Sequence, residues 1–64
     1  MPSEWRYAEV KRLLESSGWF LDRITGSHHI FAKSGKRNII FPVHGGEVKF
    51  VYVRQAQKIL EERD

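Results

Sequence analysis

Cysteine is absent from these 64 residues, which rules out disulfides and thiolate metal sites and leaves packing alone to hold the fold. No apolar run approaches the ~18 residues of a membrane span, and the N-terminus lacks the apolar core of a signal peptide. A cytoplasmic chain with no membrane partner is expected. Proline is scarce, and no linker, repeat or low-complexity segment breaks the chain. Residues 1–64 therefore read as one domain near the lower size limit for a self-supporting core. Charge is only mildly one-sided: 11 Lys and Arg against 8 Asp and Glu give a net charge of +3. That excess leans toward acidic partners such as RNA, DNA or an acidic protein without selecting among them. There is no glycine-rich phosphate loop, serine triad or pair of catalytic carboxylates. Three histidines without cysteine, two of them adjacent, do not match a zinc-ligand spacing. No metal or cofactor is expected.

What is present is a short series of elements. Ser3 can cap a helix with Glu4 in its first turn, where negative charge is favourable. Tyr7, Val10, Leu13 and Leu14 share one face of that helix, and Lys11, Arg12 and Glu15 the other. Trp5 lies off the apolar stripe, either partly exposed or folded back over the helix start. Gly18 supplies the left-handed residue that ends the helix. Residues 19–24, Trp-Phe-Leu-Asp-Arg-Ile, are aromatic and branched, as strands favour. Residues 28–33 form the second strand and 37–41 the third, joined by the 34–36 turn as an antiparallel hairpin that Pro42 ends. Residues 43–47 read as a loop with paired glycines. A second helix starts between Lys49 and Val51, with Tyr52, Val53, Ala56, Ile59 and Leu60 as its apolar stripe. Arg54 and Lys58 lie opposite, as a solvated face normally does, and residues 61–64 are expected to fray.

The order α-β-β-β-α predicts an α+β fold: a three-stranded antiparallel sheet with two helices packed on one face. Alternation along the strands is poor. Trp19 and Leu21 point one way, Phe20 and Ile24 the other, and Ile40 opposes Ile39 and Phe41. Apolar surface should therefore remain on the uncovered face, as it does at interaction sites.

The chemistry concentrates at Thr25-Gly26-Ser27-His28-His29-Ile30-Phe31. Gly26 can take the positive φ of a tight turn before a strand. Strand side chains alternate, so His28 faces with Ile30 and Ala32, and His29 with Phe31 and Lys33. A strand histidine is most often a polar surface residue. One that follows a Gly-Ser turn can also reach past the sheet edge, and its ordinary pKa near ~6.5 suits proton transfer at neutral pH.

The helix ending in Gly18-Trp19-Phe20, Arg23, the Gly26-Ser27-His28-His29-Ile30-Phe31 stretch, the basic turn, Ile39-Ile40-Phe41-Pro42-Val43-His44 and the closing helix together resemble the HicA family of bacterial toxins. The resemblance spans nearly the whole chain. It implies a fold like that of double-stranded-RNA-binding domains, mRNA interferase activity on RNA, and a HicB-like antitoxin protein as partner. The family's catalytic histidine maps onto His28. One departure is Phe50-Val51-Tyr52-Val53-Arg54, where many members open the last helix with Lys-Gly-Thr. That marks a divergent branch.

Under this reading His28 is the proton-transfer group of a metal-independent endoribonuclease, with His44 a candidate second one. Gly26, Ser27, Lys33, Lys36 and Arg37 are substrate-binding candidates, the three cations as phosphate contacts. His29 faces away from His28 and is not expected to share its task. A non-catalytic RNA- or protein-binding module of the same fold, and a structural subunit, are the other readings the residues allow. Nothing in the sequence sets the oligomeric state.

Overall fold

A computed structural model describes residues 4–62. Its elements are β1 (Glu4–Arg6), α1 (Tyr7–Ser16), β2 (Phe20–Thr25), β3 (His28–Ala32), β4 (Ile39–Pro42), β5 (Glu47–Lys49) and α2 (Phe50–Glu61). The α1-β2-β3-β4-α2 core matches the expected order. β2, β3 and β4 form an antiparallel sheet in sequence order, and β1 and β5 form a separate two-stranded ribbon. Val10 and Leu14 of α1 and Val53 and Ala56 of α2 are buried in one core with Phe31, Ile39, Phe41, Val48 and Trp19. Both helices thus cover the same face of the sheet, the architecture of a double-stranded-RNA-binding domain.

The N-terminus differs from the expected cap. Glu4 is a strand residue paired with Lys49, and Trp5 pairs with Val48; Ser3 lies outside the described residues. Trp5 is half-buried against the core, folded back as one of its two expected placements had it. Helix α1 begins only at Tyr7, with no side-chain cap. The Gly46 carbonyl accepts the Tyr7 N–H at 2.8 Å instead. A tertiary acceptor has replaced a local one at the helix start, where the first donors lack intrahelical partners.

At the other end of α1 local chemistry decides. Gly18 adopts φ 89°. The Trp19 N–H bonds the Leu14 carbonyl at 3.0 Å and the Gly18 N–H bonds that of Glu15 at 3.1 Å, the paired closure of a Schellman motif. Its hydrophobic contact is the buried Trp19 and Leu14.

The 43–47 stretch is a hairpin and not an open loop. His44 and Glu47 exchange backbone hydrogen bonds at 3.1 and 3.0 Å, across Gly45 and Gly46 at φ 60° and 74°. Two consecutive positive φ values define the type I′ turn, whose twist suits adjoining strands. Position 24 also departs from the simple alternation. The β2 register shifts between Leu21 and Arg23, so one extra residue is accommodated as a bulge. Ile24 consequently pairs with His29, on the helix side, and not with the face of Phe20.

Candidate functional site

Cross-strand partners share a face. The register Phe20–Ala32, Arg23–Ile30–Ile40 and Thr25–His28–Pro42 therefore defines the face opposite the helices. His28 is exposed there, between Thr25 and Pro42 at the rim of the sheet. Phe20 and Ile40 are 55% and 52% exposed, confirming an apolar open face. Ile30 is buried between its two partners.

The turn before His28 is tight. Thr25 pairs with His28, and Gly26 alone of the two intervening residues has a positive φ, 61°, the type II′ pattern. No neighbouring atom crowds Gly26, so it serves the turn by its backbone freedom. Ser27 contributes its carbonyl, which accepts the Val43 N–H at 2.8 Å. The His29 Nδ1 lies 3.2 Å from the same oxygen. A carbonyl only accepts, so Nδ1 carries the proton and Nε2 the lone pair in the neutral ring.

His29 is thus an architectural residue. Its ring lies edge-on to Tyr7, with centroids 4.6 Å apart, and parallel to Phe41 at 6.5 Å. It ties the turn that presents His28 to the start of α1 and to β4. The Tyr7 hydroxyl beside it is buried and has no hydrogen-bond partner among the described residues. Burial, followed by the negative charge of Glu15, raises its pKa above 10.

The expected phosphate contacts lie elsewhere. From His28 to Lys33 the chain climbs five residues, about 17 Å at strand rise, so the 33–37 cluster sits at the opposite end of the sheet. These candidate phosphate contacts therefore do not adjoin His28. The Lys33 ammonium donates to the Ser17 carbonyl at 2.7 Å, closing the end of α1. Arg37 pairs with the Glu62 carboxylate at 2.6 Å, and Lys36 approaches the Glu62 carbonyl at 3.5 Å. Two cations thus hold the chain just after α2, where fraying was expected.

The cation on the face of His28 is Arg23, diagonal to it through Ile30. It makes an exposed ion pair with Asp22 at 2.7 Å. In the sequence Arg23 has a place in the family resemblance but no site role; the bulge between Leu21 and Arg23 brings it to this face. His44 lies two residues beyond Pro42, the cross-strand partner of His28, and is exposed. It stands just past the end of β4, at the end of the sheet that carries His28.

The fold and this face define a small α+β domain of the double-stranded-RNA-binding type, with an exposed histidine at the rim of its uncovered sheet face. The model of the HicA toxin of bacterial toxin-antitoxin systems matches residues 7–62, and the chain belongs to that family. It is therefore the toxin component of such a system, with an antitoxin as its counterpart. No curated protein and no solved structure matches the chain. Among the described residues no helix is long and apolar enough to cross a membrane.

Proposed function

We propose that this toxin is an endoribonuclease that cleaves mRNA without a metal, with His28 as its proton-transfer residue. The observation that carries the reading is the position of the His28 ring: exposed, on the face that neither helix covers, behind a turn pinned by Ser27. The imidazole takes the proton of a ribose 2′-hydroxyl. The 2′-oxygen attacks the adjacent phosphorus, the bond to the 5′-oxygen breaks, and that oxygen receives a proton. The products are a 2′,3′-cyclic phosphate and a 5′-hydroxyl. His44, across the rim, is the candidate donor to the leaving oxygen. The Arg23 guanidinium, on the same face, offsets charge developing on phosphorus, since an exposed pair such as Arg23–Asp22 is weak enough for phosphate to compete.

Gly26 and Ser27 act through the turn, while Lys33, Lys36 and Arg37 reach only RNA that extends along the sheet. The double-stranded-RNA-binding architecture does not itself specify duplex substrates. The exposed Ile40 near His28 and Phe20 at the far end of the same face fit a protein cover, and a HicB-like antitoxin seated there would shield the histidine.

The test is induction of the wild type and His28→Ala in bacteria, with purified protein assayed on mixed RNA. Wild type should arrest growth and cleave. The variant should do neither, its rate falling by about two to four powers of ten. Undiminished cleavage by the variant would remove His28 from the mechanism. Harmless induction of wild type with intact message would favour the non-catalytic binding module.

A further inference from the structure

Beside β4 the structure has a cleft whose walls, apart from His44, have no part in the proton-transfer chemistry. It lies where the sheet meets the β1–β5 ribbon and the first turn of α2, measures about 110 Å³, and is lined by Glu4, Pro42, His44, Glu47, Lys49 and Tyr52. Pro42, one of its walls, is the cross-strand partner of His28. Glu4 and Lys49 are cross-strand partners, and His44 faces Glu47 across the type I′ turn. Among the described residues none of these five polar side chains makes a hydrogen bond or ion pair. Their donors and acceptors remain available to a ligand.

The composition selects the ligand. Two carboxylates beside one ammonium make a poor phosphate site. A nucleobase edge that carries both donors and acceptors is a better match, with Tyr52 as an aromatic wall. Single-stranded RNA is commonly read in this way, by stacking and by hydrogen bonds to the base edges. A carboxylate accepts two adjacent donors, and guanine alone among the four bases presents two, N1–H and the N2 amino group, side by side. Guanine also offers O6 and N7 as acceptors, which lysine recognises. Uracil shows one donor between two acceptors, and cytosine and adenine each show one amino group beside a bare nitrogen.

We infer that this cleft is a guanine subsite, in which Glu47 or Glu4 accepts from N1 and N2, Lys49 donates to O6 or N7, and Tyr52 stacks. The assignment deepens the ribonuclease reading and rests on it: the guanosine held here neighbours the scissile phosphate at His28.

Two measurements on the full chain test it. In an NMR titration with 5′-GMP, 5′-AMP, 5′-CMP and 5′-UMP, the shared phosphate serves as internal control. GMP should shift the amides of residues 44–49 and 52 and bind at least tenfold tighter than the others. The Glu4→Gln/Glu47→Gln double variant, checked for native spectra, should bring GMP to the level of AMP. In the second measurement, cleavage sites are mapped on an RNA containing every dinucleotide step. Guanosine should be enriched at one fixed position beside the cut, and the double variant should lose that enrichment.

Equal binding of the four nucleotides, GMP shifts confined to other residues, or guanosine enrichment that survives the double variant would each overturn the assignment. Absence of wild-type cleavage on every RNA would instead defeat the ribonuclease reading, while the titration would still decide the cleft.

Discussion

The two faces of the β2-β3-β4 sheet draw on the same kinds of residue and put them to different uses. On the helix side, His29, Phe31 and Phe41 are packed against Tyr7 and the core. On the open side, His28, Phe20 and Ile40 stand in solvent. His28 and His29 are adjacent in the chain, yet one ring presents its nitrogens to whatever approaches, and the other holds a turn through the Ser27 carbonyl. Residue type does not separate reactive from architectural groups here; the face does. The cations repeat the lesson. Arg23 on the open face pairs, among the described residues, with its sequence neighbour Asp22, whereas Lys33 closes α1 and Arg37 secures the chain after α2.

The sharpest way to break this comparison is to truncate one aromatic or branched side chain on each face. Phe31→Ala, in the core, should destabilise the fold by about 3–5 kcal/mol. Ile40→Thr, on the open face, should change stability by less than about 0.5 kcal/mol. Urea denaturation of both variants reads the difference, and equal losses would mean that the open face is packed in solution.

Lys33→Met should cost about 1–2 kcal/mol, because it leaves the Ser17 carbonyl without a charged donor at the negative end of α1. If Lys33 serves architecture, thermal stability falls while RNA affinity of the folded protein holds. A weakened affinity at unchanged stability would return Lys33 to the substrate.

Tyr7 bears on the helix side and on pH. Burial and the charge of Glu15 raise its pKa in the fold above the unfolded value of 10. The stability associated with the neutral phenol is complete below pH 10. Above pH 10 the unfolded chain ionises first, and stability declines until the folded pKa is passed. Tyr7→Phe should flatten this alkaline decline in denaturation curves recorded from pH 8 to 11. Because the hydroxyl lacks a partner, the variant should be as stable as wild type at neutral pH, or more stable by up to about 1 kcal/mol. Smallest of all, Arg37→Gln should cost no more than about 0.5 kcal/mol, as exposed ion pairs do. Added salt should erase that difference.

Much of the local structure was legible because its causes are local. Gly18 ends α1 through its own positive φ, Gly26 opens the hairpin, and the period of two puts His28 and His29 on opposite faces. The paired glycines at 45 and 46 gave the turn its place, but their strand partners lay hidden. β1 finds β5 across more than forty positions of chain, and three-residue strands carry too little pattern to announce themselves. The bulge that turns Arg23 to the face of His28 depends on how β2 fits β3, and no property of Asp22 in isolation requires it.

By itself, then, the sequence determined the order of the helices and the main strands, the turns that glycine makes possible, and the family to which the histidine turn belongs. These follow from backbone preference and side-chain period, which act over a few residues. The tertiary structure alone decided which cations are held by carbonyls and carboxylates, where α1 begins, and that His44, Glu4 and Tyr52 line one cleft with Pro42. Such outcomes depend on distances between segments remote in the chain, and only the packed core sets those distances.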